Sequence, residues 1–459
     1  MRAVVLGAGR IGFGVAKELS LNANDVSVVD SSAEVLKVVS ERLDVKPIYG
    51  HAADIDILKE AGIDEADSVI AVTSSDEVNI TACQISDFMF GVETRIARVS
   101  KRSYFMNGEI FVRGRLPLDV VVSPEIEISE IVRRSISIPG AIDVINCMGG
   151  LVKVIGIVCQ KVAPIVDMTL KYLATMAKDL EIAVICIKRG QDNLILPTED
   201  DLIMAGDEVY FACRASESVG ALKLFGYDGE WTSRIVVIGG GEMCSGIIDS
   251  VLRQTELDLN IKVIEKDIKQ AEFLSEKLND VEIIHGDPLK VEVLKAAKVG
   301  EAELVISMTD DDKTNVLSCL LSKKLGTTRV SAVLNESSYA DLPYTLGINT
   351  ILDSRLATIS KILRYLRKGG VENIIEFMDG EVEVLVIEIP HNSYTIGTLT
   401  RDIVVKNEAH IPAIARNNEV ILLPKNVMIE PGDKLLIVAK SHSVERILKM
   451  FQAKPTYLS

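Results

Sequence analysis

The sequence predicts a doubly wound α/β protein written twice, each copy followed by a smaller α+β domain. Three observations carry this. A glycine-rich turn opens at Gly7 and a second at Gly239, 239 − 7 = 232 residues apart in a chain of 459. Each turn follows a short aliphatic run and precedes a helix-like segment. The chain is 48% hydrophobic but only 5% aromatic, with mean hydropathy +0.25, so its apolar excess is aliphatic, as in strands buried on both faces.

The elements repeat in order. Ala3-Val4-Val5-Leu6 leads into Gly7-Ala8-Gly9-Arg10-Ile11-Gly12, and Ile235-Val236-Val237-Ile238 into Gly239-Gly240-Gly241-Glu242-Met243-Cys244. Helix-like segments follow at Val15 to Leu21 and at Ile247 to Gln254. The second strands both end on an acid, Asp30 and Glu265, and each precedes a helix with an apolar stripe. Gly50 leads to Leu58-Lys59-Glu60-Ala61, and Gly286 to Leu294-Lys295-Ala296-Ala297. The fourth strands end at Thr73 and Thr309, with Asp76 and Asn79 matched by Asp312 and Asn315. Register held through loops is the mark of duplication. A Gly-Asp turn feeding a last strand also occurs twice, at Gly206-Asp207 and Gly432-Asp433. The expected domains are 1–134 and 233–368, with parallel sheets, and 140–226 and 371–455, each a smaller α+β unit. Turn-rich stretches at Ser137 to Gly140, Gly226 to Ser233 and Arg367 to Glu372 separate them.

Composition narrows the function. A net charge of −16 and pI near 5.0 argue against binding nucleic acid through phosphates. No apolar run reaches the ~18–20 residues of a membrane span, and the N-terminus lacks a secretory pattern. Seven dispersed cysteines with no CxxC support neither a zinc site nor a redox pair; buried thiols in a reducing compartment are expected.

The first turn has the GxGxxG spacing of a Rossmann-like dinucleotide site. Gly7 suits the tight turn, Gly9 the approach of a pyrophosphate and Gly12 close packing of the helix, whose N-terminus attracts phosphate. Asp30 lies 18 residues beyond Gly12, where a carboxylate accepts ribose hydroxyls and repels a 2′-phosphate. That favours NAD(H) or an adenine nucleotide over NADP. Arg10 within the turn and Arg98 after the fifth strand are candidate phosphate contacts. Thr73 and Ser74 end the fourth strand, at the ligand crevice; Asp76 and Asn79 either belong to that crevice or cap the next helix. In the second copy Cys244 replaces the third glycine, Glu242 replaces Arg10, and Ala332 falls at the place of Arg98. Glu265 can still hold a ribose, and Gly286-Asp287 places an acid at the cleft. A weaker second site, or one preferring a less charged ligand, is expected.

The segments VVLGAGRIG, VVDSS, IYGHAADIDILKEAGI, AVTSSDEVN and IARV resemble the regulator-of-potassium-conductance (RCK/KTN) family, and within it the regulatory proteins of Trk-type potassium uptake. The resemblance covers the whole chain. It implies a cytoplasmic protein, peripheral on the inner face of the cell membrane, assembled as a ring or tetramer under a potassium transporter of the TrkH/TrkG kind. It implies NAD(H) and ATP/ADP as ligands of the Rossmann-like domains. The implied contacts are Gly7, Ala8, Gly9, Arg10, Ile11, Gly12, Asp30, Thr73, Ser74 and Arg98 in the first copy. In the second they are Gly239, Gly240, Gly241, Glu242, Met243, Glu265, Gly286, Asp287 and Thr309.

The rival reading is an NAD-dependent oxidoreductase, which needs an acid or base beside the nicotinamide. None of the histidines at 51, 285, 391, 410 and 442 pairs with an acid at a catalytic spacing, and no Tyr-x-x-x-Lys or GxxxxGK[ST] occurs. No catalytic residue and no metal site is expected, and the favoured reading is a ligand-driven switch.

Overall fold

A computed structural model describes residues 1–101, 104, 118–136, 138, 140–176, 180–190, 193–227, 233–241, 243–248, 259–278, 280–334, 347–348, 350–366, 371–377, 381–403, 408–424 and 426–451. Glu242, part of the second helix-like segment (249–254) and parts of all three expected boundaries lie outside the described residues.

The aliphatic runs of the first copy become β1 (Arg2–Leu6), β2 (Asp25–Asp30), β3 (Lys46–Tyr49), β4 (Ser68–Ala71), β5 (Thr94–Arg98) and β6 (Val120–Val122). They form one parallel sheet in the order β3-β2-β1-β4-β5-β6. Helices α1 (Arg10–Leu21), α2 (Ala33–Arg42), α3 (Ile55–Glu60) and α4 (Asp76–Phe90) connect these strands, and α5 (Pro124–Ile136) follows β6. The chain reverses its direction of winding between β1 and β4, so a crevice opens over their C-terminal ends.

Strands β7 (Ala141–Cys147), β8 (Val152–Val158), β9 (Ile182–Arg189), β10 (Asn193–Ile195) and β11 (Glu208–Arg214) form an antiparallel sheet ordered β10-β9-β11-β8-β7. Helices α6 (Leu170–Met176) and α7 (Ser218–Leu224) complete this domain.

The second copy repeats both sheets. Strands β12 (Ser233–Ile238), β13 (Leu259–Glu265), β14 (Val281–His285), β15 (Leu304–Ser307), β16 (Arg329–Leu334) and β17 (Thr350–Asp353) are parallel, ordered β14-β13-β12-β15-β16-β17. Residues 243–248 are helical, followed by α8 (Ile268–Lys277), α9 (Val291–Ala296), α10 (Asp312–Lys324) and α11 (Ser354–Leu366). Strands β18 (Val371–Phe377), β19 (Val382–Glu388), β20 (Ala409–Arg416), β21 (Glu419–Leu422) and β22 (Lys434–Lys440) are antiparallel, ordered β18-β19-β22-β20-β21, with α12 (Thr400–Ile403) and α13 (Val444–Met450).

The four domains gather into two compact units, 1–132 with 232–366 and 133–231 with 367–459. In the first, α11 packs against α1 of the other copy: Ile359, Ile362 and Leu363 join the core formed by Val15, Ala16 and Leu19. Gly14 makes room for this, since a Cβ there would lie 2.3 Å from Ile359 Cδ1. Lys361 pairs with Glu127 of α5 at 3.0 Å. In the second unit the two antiparallel sheets share one core, in which Val152, Val154 and Ala212 pack with Val384, Val386 and Val438.

Each Gly-Asp turn is tied to an arginine ending a strand. Arg189 grips Asp207 at 3.0 and 2.8 Å, and Arg416 grips Asp433 at 2.7 and 2.8 Å, both bidentate. The carboxylates are 2% and 0% exposed, so they hold the turn rather than serve a ligand. These pairs raise the pKa of both arginines.

Candidate functional site

Each crevice is built on its glycine turn. Gly7 has φ +97°, and a Cβ there would sit 2.9 Å from Thr73 Cα, so the turn lies directly on the end of β4. At Gly12, in the first turn of α1, a Cβ would fall 1.8 Å from the Gly7 carbonyl oxygen; no other residue packs there without moving the helix. At Gly9 a Cβ would meet nothing within 4 Å, so this glycine leaves open space above the helix N-terminus. Ala8 is buried in the turn, while Arg10 is exposed and begins α1, with Ile11 half-buried beside it.

The second-strand acid is part of the turn. The Ala8 N–H donates to Asp30 Oδ2 at 2.6 Å and the Ser32 N–H to Oδ1 at 2.8 Å. In the second copy the Gly240 N–H donates to Glu265 Oε2 at 2.5 Å and the Asp267 N–H to Oε1 at 2.7 Å. Each oxygen keeps acceptor capacity, so the acid can hold the loop and still accept a ribose hydroxyl.

Across the crevice, Thr73 is fixed by Asn79. The Thr73 N–H and hydroxyl donate to Asn79 Oδ1 at 2.9 and 2.7 Å, and Asn79 Nδ2 donates to the carbonyls of Thr73 and Arg98. Asn315 does the same for Thr309 and for the carbonyl of Val333. Both asparagines are fully buried. The capping expected of Asp76 and Asn79 falls instead to Ser75, whose hydroxyl accepts the Val78 N–H. Asp76 accepts the N–H groups of Ser100 and Lys101. Ser74 is exposed at the rim.

Arg98 ends β5 beside Thr73, donating to its carbonyl at 3.3 Å, and its Nε is buried without a partner. A buried guanidinium nitrogen without a partner is uncommon and suits an anionic acceptor.

The register corrects one alignment. Ala71 pairs with Ala97 and Ser307 with Ala332, so Ala332 matches Ala97 and Val333 takes the place of Arg98. The second crevice still lacks the arginine. Cys244 is fully buried, and burial pushes its thiol up to about 12. Cys244 stands at the sequence position of Gly12 and carries the Cβ for which Gly12 has no room. Met243 is half-buried in the first helical turn.

The second crevice contains a cavity of about 480 Å³ bordered by Gly239, Gly240, Gly241, Glu265, Asp287 and Thr309, all identified from the sequence. Also on its wall are Lys266, Asp267, Gln270, Asp310 and Asp311, which the sequence reading did not single out. Gln270 donates to the Gly240 carbonyl at 2.6 Å. Gly286 lies between Glu265, whose carbonyl accepts its N–H, and Val293, 2.7 Å from where its Cβ would be. Asp287 accepts the Leu289 N–H and faces Lys266 at 3.3 Å, which holds its carboxyl below the usual range. His51, at the position of Asp287, accepts the Ala53 N–H through Nδ1 at 3.3 Å.

Among the described residues no group of three or more His, Cys, Asp or Glu could hold a metal, and no helix is long and apolar enough to cross a membrane. All seven cysteines are free and buried.

Comparison with known proteins agrees with this architecture. The TrkA-N domain family matches residues 3–124 and again 235–354, and the TrkA-C domain family matches 384–452. The Trk system potassium uptake protein TrkA of Azorhizobium caulinodans is 34% identical, over 98% of this chain and 99% of its own. Its counterpart from Halomonas elongata is 30% identical over the whole of both chains, and the Archaeoglobus fulgidus homologue 30% over 98% and 100%. The RCK domain of GsuK shares the fold at TM-score 0.62 and 17% identity, covering 98% of this chain and 95% of that one. The GsuK channel bound to NAD superposes at TM-score 0.61 and 18% identity, covering 98% and 78%. With both TrkA-N copies matched and full-length relatives at this identity, the chain belongs to the TrkA family of Trk-system potassium uptake proteins.

Proposed function

We propose that this protein is a cytoplasmic regulatory subunit, peripheral to the inner face of the membrane, that gates a potassium transporter of the TrkH/TrkG kind. It does so by binding NAD(H) and adenine nucleotides, ATP or ADP, and it works as a homo-oligomeric ring or tetramer. The observation that carries this is the first glycine turn, where Asp30 holds the Ala8 amide and Gly9 leaves open space at the start of α1, with Arg98 Nε left unpartnered at the end of the neighbouring strand β5. Family membership supplies the transport context, and a related fold binds NAD.

A switch needs ligands that distinguish conformations, because only a difference in affinity shifts an equilibrium. Helix α1 begins at the phosphate-facing turn and carries Gly14 against Ile359 of the other copy. A ligand that draws the turn inward therefore acts on α11. Arg10 and Arg98 are the residues to discriminate charge state, while Asp30 holds the ribose.

The test is potassium flux through the transporter in vesicles reconstituted with this protein, with and without NAD+, NADH, ADP and ATP. Asp30→Ala with Arg10→Ala is expected to remove the nucleotide response. A response unchanged in that variant would refute the assignment. Hydride turnover with NADH over a panel of carbonyl compounds tests the oxidoreductase reading.

A further inference from the structure

The two crevices share a backbone but not a charge. The acids Asp30 and Glu265 correspond, each holding a turn amide. Beyond them the rims diverge position by position. Ser31 and Ser32 become Lys266 and Asp267, of which Ser32 and Asp267 both cap the following helix. His51 becomes Asp287 after the matched glycines Gly50 and Gly286. Ser74 and Ser75 become Asp310 and Asp311, and again Ser75 and Asp311 both cap. Arg98 becomes Val333. Among the described residues the second cavity is thus faced by Glu265, Asp267, Asp287, Asp310 and Asp311 against one cation, Lys266, which is paired with Asp287.

Two of these carboxyls are held in the charged form. Hydrogen bonds from the Leu289 N–H and Lys266 hold Asp287 low, and those from the Thr314 hydroxyl and amide hold Asp311 low. A di- or triphosphate seated over Gly241 would face these carboxylates with no arginine to offset them among the described residues. A ribose diol has no such conflict, since Glu265 and Asp287 on the cavity wall both present acceptors.

We propose that the second crevice selects a ribonucleoside carrying no phosphate and excludes nucleoside di- and triphosphates, so that the two copies read different chemical species. This rests on the reading of both crevices as ligand sites. It assigns the selectivity to Asp287, Asp310 and Asp311.

The experiment is calorimetric titration of the full-length protein in which Asp30→Ala silences the first crevice. Adenosine, guanosine, cytidine, uridine, ADP and ATP are the probes. At least one nucleoside is expected to bind, at least about tenfold tighter than ADP or ATP, and Glu265→Ala should abolish that binding. Replacing the rim by its twin's residues (Asp287→His, Asp310→Ser, Asp311→Ser) is expected to bring in ATP binding at least about tenfold. ATP bound as tightly as any nucleoside, and lost with Glu265→Ala, would overturn the selectivity while leaving the crevice a ligand site. If no probe binds the Asp30→Ala protein, the selectivity and the second ligand site both fall. Thermal unfolding of each variant separates lost binding from lost fold.

Discussion

Asp30 holds the amide of Ala8 at 2.6 Å, so the acid proposed to hold a ribose also shapes the glycine turn. The two tasks come apart on mutation. Asp30→Asn keeps the size but replaces one acceptor oxygen with a donor, so it loses one of two backbone bonds and the ribose-facing charge. Asp30→Ala loses both bonds, at about 1.5–3 kcal/mol each for a charged acceptor. NAD(H) affinity by calorimetry is expected to fall at least about tenfold in Asp30→Asn and further in Asp30→Ala. Amide exchange should speed at one of Ala8 and Ser32 in Asp30→Asn and at both in Asp30→Ala. Exchange unchanged in both variants would mean that the carboxylate does not organise the turn.

Gly12→Ala puts a Cβ where the Gly7 carbonyl oxygen stands, 1.8 Å away, and backbone cannot yield as a side-chain tip can. The expected cost is about 1–3 kcal/mol of stability, with loss of ligand binding in the first crevice. Cys244→Ala, at the matching position, already has a Cβ to accommodate and should cost no more than about 1 kcal/mol. Thermal unfolding of the two single variants makes the comparison.

Gly14 and Ile359 form a packing pair across the two copies, and the atom in conflict is known. Gly14→Ala places a Cβ 2.3 Å from Ile359 Cδ1. Ile359→Val removes that methyl. The double variant is expected to recover about 0.5–2 kcal/mol relative to the sum of the singles. Exchange of α11 amides should respond to NADH in the wild type and not in Gly14→Ala. Strict additivity in the double-mutant cycle would show that the contact does not couple the helices.

Arg416 and Asp433 differ in what their loss leaves behind. Arg416→Ala leaves a carboxylate that is 0% exposed without its counter-charge, holding only the Glu430 N–H among the described residues, at a cost of about 3–5 kcal/mol. Asp433→Ala leaves an arginine that still reaches Glu430 and the Met428 carbonyl, so its cost should be smaller. Urea unfolding monitored in the second unit tests the order, and Arg189 with Asp207 should repeat it.

Much of this was legible in the sequence, because strands of a parallel sheet are short aliphatic runs and a duplication shows them twice. The turn glycines, Asp30 and Glu265 followed from spacing. What escaped was set by long-range geometry. Asn79 looked like a cap because it sits near a helix start, yet Ser75 already fills that role and Asn79 spans β4 and β5 instead. A usable signal was present: Ser75 and Asp311 hold the same cap position in both copies, which leaves each asparagine without that task. Ala332 was matched to Arg98 by counting along the chain, whereas strand pairing sets the match at Val333. The arginines gripping the Gly-Asp turns lie 18 and 17 residues before their partners, a separation that only the antiparallel sheet brings together.

His410 offers a test by pH. It lies opposite Val438, on the sheet face that forms the shared core of the second unit, and its Nε2 is buried without a hydrogen-bond partner. Burial lowers its pKa from 6.5 to about 4. The unfolded chain therefore binds a proton that the folded chain refuses between these values, and stability falls as pH drops through that window. Above pH 6.5 both states are neutral and the contribution vanishes; below about 4 both are charged and the loss levels off. Because His410 corresponds to Ala183 in the first copy, where a methyl fits the same core, His410→Ala removes the proton without adding a polar group. The wild type should lose more melting temperature between pH 6.5 and 4 than His410→Ala does, and parallel curves would show that the imidazole reaches water in the folded protein.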